Sequence, residues 1–150
     1  MNLEPLDLLL AEDNEDDIVL IRETMHERKM INIMHVVRDG EEVMAYLRRQ
    51  GKYADVKRPG LVLMDINMPK KNGLEALEEI KRDPELRMLP VVMLTVSDRE
   101  EDIVRAYSAG ACSYVRKPVI FADFQRVVDQ FSLYWALVSK VPDMRQTGNR

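Results

Sequence analysis

Charged residues lie at the points where three predicted strands end, and the first two of these strands are apolar runs. They are Glu12 and Asp13 after Leu6–Ala11, Asp65 after Leu61–Met64, and Lys117 after Cys112–Arg116. Because apolar runs of this kind are typical of parallel strands buried on both faces, whose carboxyl ends share one edge, we expect these side chains to meet. Clustered carboxylates repel one another unless a cation joins them, and hard oxygen ligands favour Mg²⁺ (or Mn²⁺). The pattern predicts a small metal site.

Thr95 ends a further apolar run, and with Lys117 it offers a hydroxyl and a cation to the oxygens of a phosphoryl group. With a metal ion and the lysine beside it, Asp65 stays ionised and can act as a nucleophile. A single aspartate at a strand end is more often a turn residue or a helix N-cap. Its companions favour the chemical interpretation.

Strands and helices must alternate five times to bring these residues together. A doubly wound α/β domain with right-handed crossovers and a five-stranded parallel sheet between helices satisfies this requirement. The predicted strands are Leu6–Ala11, Ile33–Val37, Leu61–Asp65, Pro90–Leu94 and Cys112–Arg116. The predicted helices begin at the caps Asn14, Asp39, Asn72 and Ser97, and an extended last helix spans about 120–140.

Two details of the second half of the chain are also predicted. Ser97 and Glu100 have the spacing of a capping box, for a helix that carries Ile103, Val104 and Tyr107. Cys112 begins a buried strand and is expected to be a small apolar filler.

Charge and composition exclude several classes of protein. A net charge of −4 and a pI near 5.3 argue against nucleic acid or an anionic membrane as the main partner. The single cysteine permits no internal disulfide, and neither a signal peptide nor an apolar run of transmembrane length is present. We expect a cytoplasmic protein.

Two related α/β classes do not fit the residues after these strands. A flavin- or dinucleotide-binding domain cradles phosphate with glycines or hydroxyls after its first strand, where this chain has Glu12 and Asp13. A phosphatase of the haloacid-dehalogenase type needs a second aspartate two residues after the nucleophile. That position is Asn67, which cannot serve as an acid or base.

The motifs in this order resemble those of response-regulator receiver domains of the chemotaxis-regulator type, across about residues 6–138. They are LLLAEDN, LVLMDINMP, VVMLT and AGACSYVRKP. The resemblance implies a flavodoxin-like (βα)5 fold and a signalling protein that accepts a phosphoryl group from a sensor histidine kinase. It implies no separate enzymatic activity beyond promoting its own phosphotransfer and dephosphorylation.

The same resemblance implies a role for each matching residue. Asp65 would be the phosphoacceptor, Asp13 a direct metal ligand, Glu12 a ligand through water, and Asn67 a ligand through its backbone carbonyl. Lys117 would contact the phosphoryl group. Thr95 and Tyr114 would form the switch, altering the face formed by the fourth helix, fifth strand and fifth helix.

A narrower resemblance links the chain to single-domain regulators paired with bacterial and cyanobacterial phytochromes. It rests on the segments VVRDGEEVMAYLRRQG, MPKKNG and FSLYWALVSKVP. It implies a phytochrome-type histidine kinase as partner.

We expect residues 1–142 to form the receiver domain and residues 143–150 a flexible tail, with no output domain. Tyr134, Trp135 and Val138 extend the apolar stripe of the last helix beyond what a five-stranded sheet can cover. A homodimer through this helix is therefore expected, against the alternative that the extension folds back over its own domain. For function, the alternative is a receiver-like interaction module that keeps the fold without the phosphorylation chemistry.

Overall fold

The fold is known from a computed structural model, which describes residues 6–28, 31–96 and 99–117 together with Ala122 and Arg126. In these residues five strands form one sheet in which every neighbouring pair is parallel. The strands are β1 (Leu6–Ala11), β2 (Ile31–Val37), β3 (Leu61–Asp65), β4 (Val91–Thr95) and β5 (Ser113–Arg116), in the spatial order β2-β1-β3-β4-β5. The doubly wound, flavodoxin-like fold predicted from the sequence is confirmed.

Helices connect the strands, and their caps follow the sequence closely. They are α1 (Glu15–Arg28), α2 (Gly40–Leu47), α3 (Gly73–Arg82) and α4 (Glu100–Ser108), with a 3-10 turn at Gly51–Tyr53. The Asp39 side chain caps α2 by accepting from the Glu42 N–H at 2.8 Å. Asn72 and Glu75 form a reciprocal capping box that starts α3 directly after the β3 loop.

Two apolar layers bury the sheet. On one face, Ile18 and Ile21 of α1 pack on alternate residues of the central strands, such as Leu8 and Leu63. On the other face, the opposite set of strand residues packs against α2, α3 and Ala106 of α4. Every residue of β3 is buried, which explains its uninterrupted apolar sequence.

The order of the strands determines where a ligand can bind. The chain winds outward from β1 to β2 in one direction and from β3 to β5 in the other. A crevice therefore opens between the carboxyl ends of β1 and β3, the usual ligand position in such sheets.

Several predicted boundaries differ from the structure. β4 is Val91–Thr95 rather than Pro90–Leu94, and β5 begins at Ser113 rather than Cys112. β2 begins at Ile31, two residues before the predicted start at Ile33. The fourth helix begins at Glu100 with Arg99 as its N-cap, and no side chain caps it. Glu100 is thus the first residue of the helix, whereas the predicted capping box requires it to be the third, and Ser97 itself lies outside the described residues.

The predicted core contacts of α4 also need correction. Val104 is 53% exposed and Tyr107 is 47% exposed, and the helix instead buries the small side chain of Ala106. Cys112 precedes β5 and is exposed, so it is not the buried filler that the sequence predicts.

Several predictions concern residues outside the described ranges. These are the tail 143–150, the dimer residues Tyr134, Trp135 and Val138, and most of the last helix, of which only Ala122 and Arg126 are described, both as helical. Among the described residues, no helix is long and apolar enough to span a membrane.

Candidate functional site

Glu12 lies immediately after β1 and is completely buried. Its peptide N–H donates to the Val37 carbonyl at 2.9 Å, so the backbone stays paired with β2 beyond the last strand residue. One carboxylate oxygen accepts from the Asn14 N–H at 3.1 Å, and the other forms an ion pair with Lys117 Nζ at 2.5 Å. The carboxylate is thus aimed into the crevice rather than into solvent.

Asp65 ends β3, one strand away from Glu12, and is 5% exposed. Pairing with β4 holds its backbone, since Asp65 lies opposite Leu94 and the next residue, Ile66, donates its N–H to the Leu94 carbonyl at 3.0 Å. A buried carboxylate on a rigid strand end is fixed in direction, as a nucleophile requires.

Lys117 follows β5 and reaches across the crevice. Its Nζ lies 2.5 Å from Glu12 Oε1, 3.0 Å from Asp17 Oδ2 and 3.3 Å from Asp65 Oδ2, with only 8% of the side chain exposed. Burial alone would lower the pKa of the ammonium, but hydrogen bonds to Glu12 and Asp17 and the charge of Asp65 raise it above its usual range. Lys117 is therefore a fixed cation.

The pKa values of the carboxylates in this site are raised by the folded protein. Burial raises the pKa of Glu12, and the neighbouring charge of Asp65 adds to this rise, against the lowering effect of Lys117 and the Asn14 N–H. Burial also raises the pKa of Asp65, although Lys117 and the Asn67 N–H act to lower it. One lysine does not fully compensate the negative charge gathered here.

Three of these carboxylates form a group that fits a divalent cation. One oxygen from each of Glu12, Asp13 and Asp65 lies within 4.8 Å of the others. Asp13 is exposed, whereas the other two residues are buried, so an ion would enter from the solvent side. Hard oxygen donors, excess negative charge and an open side are the properties of sites that hold Mg²⁺ or Mn²⁺ with water still attached.

The remaining predicted residues lie at the same edge or beside it. Asn67 is exposed in the loop after Asp65, and Thr95 is the last residue of β4, although its side chain lies outside the described part of the structure. Tyr114 is half-buried in β5 and packs edge-on against Tyr107, with ring centroids 5.9 Å apart. Tyr114 thus lies next to the exposed side of α4.

Two glycines that the sequence analysis overlooked shape the loop after Asp65. A Cβ atom at Gly73 would lie 2.1 Å from the Asp65 carbonyl oxygen, and one at Gly40 would lie 2.1 Å from the Lys71 carbonyl oxygen. Gly40 also donates its N–H to that Lys71 oxygen at 2.9 Å, which ties the loop to the start of α2. The recognisable signal is a glycine directly after each N-cap residue, Asp39 and Asn72.

Asp17 is the second omission. From sequence it reads as one of several acidic residues in the first turn of α1, where negative charge suits the helix dipole. Instead its carboxylate accepts a hydrogen bond from Lys117, 100 residues further along the chain. Nothing in the local sequence indicates this contact.

Comparison with known proteins supports the same interpretation. The family model described as "Response regulator receiver domain" matches residues 8–129. The response regulator Rcp1 of Synechocystis sp. is 36% identical over 138 residues, which cover 92% of this chain and 94% of Rcp1.

Solved structures are similar over comparable lengths. The phosphorylated cyanobacterial phytochrome response regulator RcpA is 40% identical with a TM-score of 0.75, covering 88% of this chain and 94% of RcpA. The Mn²⁺-bound form of Rcp1 is 37% identical with a TM-score of 0.74, covering 87% and 94%. The bacteriophytochrome response regulator RtBRR is 37% identical with a TM-score of 0.77, covering 85% and 78%.

Proposed function

The chain belongs to the response regulator receiver domain family, and from this premise we propose that Asp65 accepts a phosphoryl group from a sensor histidine kinase. The observation that carries the proposal is the position of the Asp65 carboxylate, buried at the end of β3 beside Glu12 and 3.3 Å from Lys117. Among the grouped acids, Asp65 is the one that ends a strand, lies beside possible metal ligands and faces a cation. These surroundings suit a nucleophile.

A divalent cation belongs to this proposal. Asp13 and Asp65 would bind Mg²⁺ or Mn²⁺ directly, Glu12 through a water molecule, and Asn67 through its backbone carbonyl. When bound, the ion neutralises carboxylate charge and phosphoryl oxygen charge together. The solved Mn²⁺-bound form of Rcp1 supports this choice of ion.

The transfer itself is a displacement at phosphorus. An oxygen of the ionised Asp65 carboxylate attacks the phosphorus of the kinase phosphohistidine, the P–N bond breaks, and its electron pair leaves with the imidazole. The product is an acyl phosphate on Asp65. Lys117 holds one phosphoryl oxygen with an N–H, and Thr95 donates its hydroxyl to another.

Phosphorylation would then be read at the surface. Thr95 would move toward the phosphoryl group, and Tyr114 would turn into the space that it leaves. Because Tyr114 packs on Tyr107 of α4, this movement would change the exposed face of α4 and β5. Signalling would follow from protein contact at that face.

The names of the similar proteins support a phytochrome-type kinase as the phosphodonor. RcpA and RtBRR are described as phytochrome and bacteriophytochrome response regulators. We also propose that the protein is cytoplasmic and that it contacts its kinase and a second copy of itself. It would bind neither nucleic acid nor membrane. Phosphotransfer profiling against purified sensor kinases would identify the donor.

The experiment that tests the proposal is phosphorylation by acetyl phosphate, followed by intact-protein mass spectrometry with Mg²⁺ present and after its removal with EDTA. Wild type should gain one phosphoryl group with Mg²⁺, and Asp65→Asn should gain none. Asp55→Asn is the matched control, because Asp55 is an exposed aspartate just after the 3-10 turn, and this variant should be phosphorylated normally. Undiminished incorporation in Asp65→Asn would refute the assignment.

The alternative of a constitutive interaction module would keep this fold without the chemistry. The grouping of Glu12, Asp13, Asp65 and Lys117 argues against it, since a module that only binds has no need of buried, uncompensated carboxylates. Equal partner binding with and without phosphorylation would favour it.

The homodimer part of the proposal rests on sequence, since its residues lie outside the described ranges. Sedimentation of wild type and of the double variant Tyr134→Ala/Trp135→Ala, each with and without beryllofluoride, tests it. We expect wild type to dimerise at tens of micromolar and the double variant to remain a monomer. A monomeric wild type at that concentration would contradict the homodimer.

A further inference from the structure

Lys117 has three carboxylate partners among the described residues, of which Asp17 is the one that accepts a hydrogen bond from its ammonium group. Nζ lies 2.5 Å from Glu12 Oε1, 3.0 Å from Asp17 Oδ2 and 3.3 Å from Asp65 Oδ2. The contact with Asp65 is the longest of the three. A phosphoryl oxygen attached to Asp65 would therefore replace that contact with the least rearrangement of the other two.

The three partners do not have the same second role. Glu12 and Asp65 belong to the group of carboxylates within 4.8 Å that can hold a metal ion, and Asp17 does not. An ion in that group would draw on the charge of Glu12 and Asp65. Asp17 would then be the partner of Lys117 that does not also bind the metal ion.

The helix start holds Asp17 in place. Its N–H donates to Asn14 Oδ1 at 3.0 Å, and α1 is fixed to the sheet through the buried Ile18 and Ile21. The Asp17 side chain is 28% exposed, which leaves it room to face solvent, yet it points to Lys117. A short side chain on a packed helix can therefore orient a long, flexible one.

We propose that Asp17 is a positioning residue for Lys117. It holds the ammonium group beside Asp65, where the phosphoryl oxygen will lie, and it keeps this position whether or not a metal ion is bound. This inference rests on the proposed function, and it adds to the site a residue of α1 that takes part in neither metal binding nor phosphoryl transfer.

The test compares Asp17→Ala, Asp17→Asn and the control Asp16→Ala. Asp16 is an exposed aspartate in the same turn of α1, so its loss removes the same charge from the helix start without touching Lys117. The first measurement is beryllofluoride affinity with Mg²⁺ present. Asp17→Ala should bind about tenfold more weakly, as when a group behind a ligand is lost. Asp17→Asn keeps an acceptor oxygen and should lie between Asp17→Ala and wild type, whereas Asp16→Ala should match wild type.

The second measurement is the ¹⁵N NMR signal of the Lys117 ammonium in metal-free protein, assigned with Lys117→Met. A hydrogen-bonded ammonium exchanges its protons slowly, so the signal should shift and broaden in Asp17→Ala and stay unchanged in Asp16→Ala. A general loss of stability would not select this one lysine.

Defined results would overturn the inference. If Asp17→Ala keeps both the affinity and the Lys117 signal of Asp16→Ala, Asp17 does not position the lysine. If both Asp17 variants bind beryllofluoride more tightly than wild type, Asp17 competes with the phosphoryl group instead. If wild type itself fails to bind beryllofluoride, the proposed function fails, and the ammonium signal still decides the role of Asp17.

Discussion

Folding shifts the pKa values of two groups of acids in opposite directions. One group lies buried at the strand ends, and the other lies between α2 and α3. Burial raises the pKa of Glu12 and Asp65. The pKa of Glu79, in contrast, is lowered, chiefly by its hydrogen bond from Lys71, which outweighs the raising effect of burial, and further by Arg48. The two regions contain the same kind of side chain, so the difference comes from their burial and from their partners: Glu12 and Asp65 are buried, whereas the Glu79 side chain is 26% exposed.

The number of cations for each carboxylate explains the contrast. Glu79 is paired with Lys71 and with Arg48 Nη1 at 2.6 Å, and Arg48 also contacts Asp83 at 3.4 Å, so two cations serve two acids. At the strand ends, Lys117 is the one cation among the described residues that pairs with Glu12, Asp17 and Asp65. The first arrangement is electrically complete and joins two helices, whereas the second lacks positive charge.

Glu42 shows that burial alone does not produce this deficit. Burial would raise its pKa, but hydrogen bonds from the Tyr53 hydroxyl at 2.5 Å and the Arg38 N–H at 2.8 Å, together with Lys52, lower it. A structural carboxylate in this protein is satisfied by its neighbours. A carboxylate that is left uncompensated marks the place where a cation from solution is expected.

Loss of Lys117 should have the largest effect on this contrast. In Lys117→Met, Glu12 and Asp65 remain buried without their cation, and we expect the free energy of unfolding in metal-free buffer to fall by about 3–5 kcal/mol. Saturating Mg²⁺ should restore part of it, since the ion replaces the missing positive charge. Urea unfolding with EDTA and with Mg²⁺ measures both values.

Lys57→Met is the control for this experiment, because Lys57 is an exposed lysine whose contact with Asp7 spans 3.6 Å. We expect it to change stability by no more than about 0.5 kcal/mol. An equal loss in the two variants would mean that the strand-end acids do not depend on Lys117.

The second prediction concerns metal affinity. Glu12→Gln keeps the shape of the side chain but removes one charge from the group of three, and we expect the affinity for Mg²⁺ or Mn²⁺ to fall about 10- to 100-fold. Amide shifts of Asp65 and its neighbours during a Mg²⁺ titration measure the affinity. Glu79→Gln makes the same change in the compensated region and should leave the affinity unchanged. A similar loss in both would show that overall charge, not the site, controls binding.

The third prediction concerns the stability contributed by the compensated region. Glu79 lies in a partly exposed network, where ion pairs contribute little, so Glu79→Gln should lower the free energy of unfolding by about 0.2–1 kcal/mol at neutral pH. Urea unfolding again measures it. A loss comparable with that of Lys117→Met would remove the distinction between the two regions.

The pH dependence of stability is the smallest expected effect at any single pH, but its sign differs between the two regions. The raised pKa of Glu12 means that the folded state holds a proton that the unfolded state releases, so ionisation opposes folding. The stability of wild type relative to Glu12→Gln should therefore fall as pH rises above about 4.3, the ordinary value for glutamate.

The lowered pKa of Glu79 gives the opposite slope. Its contribution is complete above about 4.3 and is lost as pH falls through the lower folded pKa. Unfolding curves of wild type and both glutamine variants from pH 3 to 7, in metal-free buffer, compare the slopes. Slopes of the same sign would contradict the comparison.

Most of the site could be predicted from sequence because strand ends are recognisable without a structure. Buried parallel strands are short apolar runs, so the positions of Glu12, Asp65 and Lys117 after such runs place them at one edge of the sheet. The predicted capping residues Asp39 and Asn72 are also confirmed, because their hydrogen bonds are local in sequence.

The errors arose where the answer depends on contacts between distant residues. The direction of Asp17 depends on Lys117, and the need for Gly73 depends on how closely α3 approaches Asp65. In α4, helical spacing singled out Val104 and Tyr107, but the helix rests on Ala106, whose small side chain contributes little to an apolar pattern. Periodicity shows that a helix has an apolar side, not how near that side comes to the sheet.

The hydrogen bond between Lys117 and Asp17 joins residues 100 positions apart, and this affects the time at which the site forms during synthesis. A ribosome synthesises the chain from its N-terminus at about 5–20 residues per second, so the acidic residues after β1 and β3 emerge seconds before the lysine. Until β5 pairs with β4, those acids lack their contacts with Lys117, and closing so long a loop is slow. A nascent or truncated chain that ends before β5 therefore has the acids of a receiver without the lysine that organises them.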